Sequence, residues 1–237
     1  MAIEKKAKMI IDRFETLKIQ RATWEDHWQD IANYFLPRKS NITVKRTKGD
    51  KRHDQIYDGT ATHALELLAS SLNGMLTNTI SPWFLLKFRT EAMNQEDEAR
   101  EWLESCAKIM QQVYQRSNFQ QEIFEVYHDL CSFGTAAMFI ESDENDLVRF
   151  SARHIKEIYI SEDARGLVNC IYRRFKLSAK AAVDKFGTDN VSRQLQNLSK
   201  KNQFDEVELC HIVKPRDVYN PKKKDQKNMP FVSIYME

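Results

Sequence analysis

Residues 119–141 read FQQEIFEVYHDLCSFGTAAMFIE, and the way this pattern changes decides the fold class. Phe119, Ile123, Val126 or Tyr127, and Leu130 recur every three or four residues, which places them on one face of a helix. The period breaks at Gly134. After it, Ala136, Ala137, Met138, Phe139 and Ile140 form a short apolar run of the buried-strand type. A helix that ends at Phe133-Gly134 and feeds a strand needs a tight corner. Glycine suits it because positive φ meets no side-chain clash there. Gly134 is therefore the expected structural corner. Asp143-Glu144-Asn145-Asp146 then reads as a turn and LVRF as a returning strand.

Upstream of the corner the pattern is helical. Residues 3–35 predict one long amphipathic helix, with Ile10, Phe14, Leu17, Arg21, Trp24, Trp28, Ile31 and Phe35 stepping by three and four. Leu36-Pro37 ends it, since the residue before proline is biased away from helix. The stripe suits a core-facing helix. It is also long for one domain of this size to cover, which makes Trp24 and Trp28 candidate subunit contacts. Residues 59–78 predict a second helix with Asp58 as its cap and a stripe of Ala61, Leu65, Leu68, Leu72 and Met75. SPWFLLKF (81–88) alternates as a strand would. A third helix begins at Asn94 or Gln95 and turns back through Ser117 or Asn118, one of which caps the helix that follows.

Between the first two helices, RKSNITVKRTKGDKRHD (38–54) carries seven Lys or Arg against two Asp. It reads as an exposed loop. Lys45, Arg46, Lys48, Lys51 and Arg52 are its candidate contacts to a polyanion or an acidic partner. No aromatic residue is interleaved with them, which disfavours stacking on single strands.

Downstream of the corner the period is mostly two. AAMFIES, LVRFSAR, EIYISED and GLVNCIYRRFK are strand candidates, with a hairpin turn at Arg165-Gly166. AKAAVDKFG is a short helix capped by Ser178 and stopped by Gly187. A further helix is expected over 188–198, and strands at DEVELCHIVKPR and PFVSIYME. Between these last two lies a charged, proline-bounded loop, YNPKKKDQKNMP. The fold class is thus α+β: long N-terminal amphipathic helices packed with an antiparallel, mostly C-terminal sheet. The expected division is 1–134, mainly helical, and 135–237, mainly β.

Composition narrows the function. With 237 residues the chain can bury a core, and its net charge of +2 is no global basic signature. No apolar stretch is long enough for a membrane span. Cys106, Cys131, Cys170 and Cys210 are far apart and read as buried small hydrophobes in a reducing compartment. The six glycines stand singly, so no phosphate-binding loop is expected. No cofactor, metal or catalytic residue is expected either. His128 and Cys131 read as a core pair, and adjacent Cys210 and His211 point to opposite strand faces. Glu141, Asp143, Glu162 and Asp163, acids at strand ends, leave a metal-dependent nuclease as an alternative.

SFGTAAMFIESDE, IYDGTATHALELLASSLNGMLTNTISPWFLL, IYRRFKLSAKAAVDKFG and ELCHIVKPR, in that family's order, resemble portal proteins of short-tailed phages, also called head-to-tail connecting proteins. The resemblance covers most of residues 55–216. It implies a structural subunit of a homo-oligomeric ring, generally of twelve, at one capsid vertex. Such a ring is the channel through which double-stranded DNA is packaged and ejected. It implies as partners the major capsid protein and scaffold, the terminase large subunit, tail adaptor proteins and DNA. It places the protein in the virion, assembled in the bacterial cytoplasm. Both predicted parts would belong to the wing. Because portal subunits are about twice this length or more, the chain is expected to stop before the stem, clip and crown. A separate head-tail adaptor or scaffold-like protein is the remaining alternative.

Overall fold

The computed structural model describes residues 2–47, 49–223 and 225–237, with backbone alone for residues 2–6. The helices are α1 (Ala2–Tyr34), α2 (Thr60–Leu76), α3 (Glu91–Asn94), α4 (Asp97–Arg116), α5 (Phe119–Phe133), α6 (Ala179–Phe186) and α7 (Arg193–Lys201). The strands are β1 (Ala137–Asp143), β2 (Leu147–Arg153), β3 (Ile158–Glu162), β4 (Val168–Ser178), β5 (Glu206–Pro215) and β6 (Phe231–Met236). All pair antiparallel, β1 with β2 in one sheet and β3-β4-β5-β6 in another. The fold is α+β.

Helix gives way to strand at Gly134, which has φ +72° and donates its N–H to the Leu130 carbonyl at 3.0 Å. That closes the last turn of α5 and turns the chain into β1. The compact units, however, do not divide there. One consists of residues up to Thr23 together with Glu157–Glu237, and the other is Trp24–Lys156. Helix α1 contributes to both.

In the first unit, Tyr172 of β4 pairs with Ile212 of β5, and Phe175 with Leu209. Side chains alternate along a strand, so these pairs lie on opposite sheet faces. Tyr159, Tyr172 and Ile212 pack under Ile10, Phe14 and Leu17 of α1. Phe175 and Leu209 pack under Ala179, Ala182, Val191 and Leu195, from α6, α7 and the turn between them. Local chemistry places these helices: Ser178 accepts from the Ala181 N–H and Ser192 from the Leu195 N–H. The second of them starts five residues later than the expected 188. Arg21, the polar member of the α1 stripe, lies 3.5 Å above the Tyr159 ring and donates to the Ile158 carbonyl.

In the Trp24–Lys156 unit, Trp28, Ala32 and Leu36 meet Leu65 of α2, Phe133 of α5 and Ile155. A second apolar centre is aromatic: Trp83, Tyr114, Phe119 and Phe150 stack or meet edge-on at 4.9–6.1 Å. The 81–88 segment supplies Trp83 to it but pairs with no strand among the described residues, contrary to the strand reading. Its alternation reflects ring packing rather than a ladder. Asn118 occupies the expected N-cap position of α5, but its side chain makes no cap bond. Its Nδ2 donates to the Phe150 carbonyl at 2.8 Å, and its Oδ1 accepts from the Phe150 N–H at 2.9 Å, so it ties α5 to β2. Ser117 Oγ accepts from the Phe119 N–H instead. The four cysteines are free and only partly buried.

Candidate functional site

The basic segment after α1 lies within the Trp24–Lys156 unit and is fastened along its length. Gln29 is the first fastener. Its Oε1 accepts from the N–H groups of Ile42 and Thr43, each at 2.9 Å, and its Nε2 donates to the Ser40 carbonyl at 3.0 Å. Arg46 donates from Nε to the Ser40 carbonyl at 3.1 Å and from Nη1 to the Lys51 carbonyl at 2.9 Å. Arg52 donates to the Arg38 carbonyl. These bonds satisfy carbonyls that no helix or sheet serves.

Charge fastens the start of the segment to α5. Arg38 meets Glu125 at 2.5 Å, and Lys39 meets Asp129 at 2.5 Å and Glu125 at 3.3 Å. Burial alone would raise the Glu125 carboxyl, but Arg38 and Lys39 together hold it below its usual range. For Asp129 burial prevails and pushes the carboxyl up despite Lys39. Nearby, His154 Nδ1 accepts from the Lys156 N–H at 3.2 Å, and its Nε2 donates to Asn41 Oδ1 at 2.9 Å. Burial, together with Lys156, Lys39 and Arg52, pushes this imidazole down to about 3.

The five candidate polyanion contacts therefore separate. Lys45 and Lys51 are exposed, while Arg46 and Arg52 are half-buried and spent on backbone carbonyls. Lys48 lies outside the described residues. The tryptophan pair separates too. Trp28 is 7% exposed and packs edge-on against Phe133, whereas Trp24, with its ring 6.2 Å away, is 58% exposed. Sequence reasoning missed Gln29 and Asp129. The partners that tie them to the segment after α1 lie 11 to 90 residues away, and no local spacing announces them.

Among the described residues no three His, Cys, Asp or Glu side chains are grouped to hold a metal. His128 places Nδ1 3.0 Å from the Phe124 carbonyl oxygen and Nε2 2.8 Å from Glu66. Asp143 accepts from the N–H groups of Asn145 and Asp146 in its own hairpin. Asp163 does the same for Arg165 and Leu167. His211 stacks on Tyr235 at 4.0 Å and meets Ser233. These groups build turns and cores.

A family model for the bacteriophage head to tail connecting protein matches residues 7–237. The chain belongs to that family. It is similar to the "Probable portal protein" of Bordetella phage BPP-1, with 31% identity over 239 aligned positions covering 100% of this chain and 43% of that protein. It is also similar to the "Portal protein" of Salmonella phage epsilon15, with 30% identity over 236 positions covering 99% of this chain and 42% of that protein. The chain thus spans well under half the length of these relatives. No helix among its described residues is long and apolar enough to cross a membrane.

Proposed function

We propose that this chain is the wing portion of a portal subunit, one of a ring at a single capsid vertex. The ring would pass double-stranded DNA in packaging and ejection and dock the terminase large subunit and then the tail adaptors. The observation that carries this reading is similarity along essentially the whole chain to two phage portal proteins. The protein would work as a structural virion component, with packaging energy supplied by the terminase. The antiparallel sheets from Ala137 onward favour this reading over a small helical adaptor. The turn roles of Asp143 and Asp163 disfavour a nuclease.

Within this reading the exposed indole of Trp24 is the candidate subunit contact, and the buried Trp28 supports it from below. Lys45 and Lys51 are the exposed members of the candidate contact to scaffold, capsid protein or DNA. Electron microscopy of the purified full-length subunit, of which this chain would be the wing portion, tests the reading. Closed rings around a central opening are expected. A protein that stays monomeric at all concentrations contradicts it.

A further inference from the structure

Residues 214–228 hold six basic residues against two acidic ones, a second basic segment somewhat weaker than the one after α1. The two segments use their charge differently. After α1, arginines and lysines are spent on carbonyls and carboxylates. In the loop between β5 and β6, the side-chain bonds that hold the loop are made by Arg216, Asn220, Asp225 and Asn228, not by its lysines. The Arg216 N–H donates to the Pro230 carbonyl at 2.8 Å and closes the base, and Arg216 Nη2 donates to the Gln226 carbonyl at 2.9 Å. Asn228 Oδ1 accepts from the Asn220 N–H at 2.9 Å, and Asn220 Oδ1 from the Lys222 N–H at 3.0 Å. Asp225 is occupied by the Asn228 N–H and Nδ2 groups.

The loop is therefore built, and its lysine side chains are not part of what builds it. Lys222, Lys223 and Lys227 are exposed and form no ion pair among the described residues. Lys224 lies outside the described residues. Beside them Tyr219 is partly exposed and Val218 is 88% exposed. A set of free ammonium groups on a shaped loop matches a dense row of negative charge. Lysine offers a point charge rather than a fork, which suits phosphates and reads no base. Tyr219 adds a hydroxyl that can donate to a phosphate or sugar oxygen.

We infer that the β5–β6 loop binds the phosphate backbone of double-stranded nucleic acid, without sequence preference, through Lys222, Lys223 and Lys227. The inference rests on this loop's charge and bonding alone and stands apart from ring formation. It is tested on the 237-residue chain with a mixed-sequence DNA duplex in a salt series. Each phosphate contact contributes about 0.9 to the slope of log affinity against log salt. K222S/K223S/K227S should therefore flatten that slope by about 2–3 and weaken low-salt binding at least about tenfold. The corresponding Lys→Arg triple should retain binding. Independently of any variant, bound duplex should protect these lysines of the native protein from acetylation. Unchanged affinity and slope in the serine triple overturn the inference. So does equal acetylation with and without DNA. Loop-dependent binding to polyglutamate but not to the duplex also overturns it, and assigns the loop to an acidic protein.

Discussion

Lys39 Nζ lies 2.5 Å from Oδ1 of Asp129, a carboxylate only 1% exposed. The pair joins the turn after α1 to the buried side of α5. Removing one partner of a buried pair leaves an uncompensated charge, at a cost of about 3–5 kcal/mol. Lys39→Met should lower unfolding stability in urea by that order. Lys39→Met/Asp129→Leu should recover most of the loss, because neither charge then remains buried. Equal losses in the single and double variants would show that the pair does not act as a unit.

His154 sets a pH dependence. Its folded pKa, about 3, lies below the usual 6.5, so the folded state resists protonation that the unfolded state accepts. Its stabilisation is complete above pH 6.5 and is lost as pH falls from 6.5 toward 3. The slope is about 1.4 kcal/mol per pH unit. Urea titrations between pH 7 and pH 5 should show stability falling ever more steeply toward this slope, and His154→Gln should flatten the fall. Asp129, whose carboxyl is raised by burial, works in the opposite direction, so the difference between the native protein and His154→Gln isolates the histidine. An unchanged pH profile in the variant would exclude His154 as its source.

Gly134 has φ +72°, and a Cβ built there meets nothing within 4 Å. Any cost of substitution is then backbone strain rather than collision. Gly134→Ala should cost about 1 kcal/mol or more, and Gly134→Val more again, within the roughly 1–3 kcal/mol of a strained left-handed residue. Gly134→Asn should be the mildest, since asparagine tolerates this region. Thermal melts of the three variants give the order. Equal melting temperatures would remove the corner from the list of required features.

What the sequence revealed was local. The corner at Gly134, the Ser178 cap and the hairpins at 143–147 and 163–167 depend on residues within a few positions, and their chemistry is visible there. What it hid was long-range. The alternation of 81–88 fits a strand and equally fits a segment that delivers Trp83 to Tyr114 and Phe119. Asn118 has the right identity for a cap, but Phe150, 32 residues on, claims its side chain. The 38–54 stretch lacks periodicity, which correctly signals a loop. The ties through Gln29, Arg46 and Asp129 depend on partners that spacing does not specify. The tryptophans one turn apart share a stripe, but the neighbours that cover Trp28 leave Trp24 exposed.

The basic segment after α1 separates structure from charge. Arg46→Ser/Arg52→Ser removes bonds to the carbonyls of Ser40, Lys51 and Arg38. At about 1 kcal/mol net for each bond lost, a clear drop in melting temperature is expected. Lys45→Ser/Lys51→Ser removes only exposed charge and should leave melting unchanged. A reversed order would mean that the arginine bonds carry no stability.

The proposed ring would hold this chain at one capsid vertex. The most direct measurement is gold labelling of an affinity tag on this chain in purified phage heads, viewed by electron microscopy. Label at a single vertex of each head is expected. Label spread over all vertices, or heads that assemble and package DNA with no label at all, would contradict it.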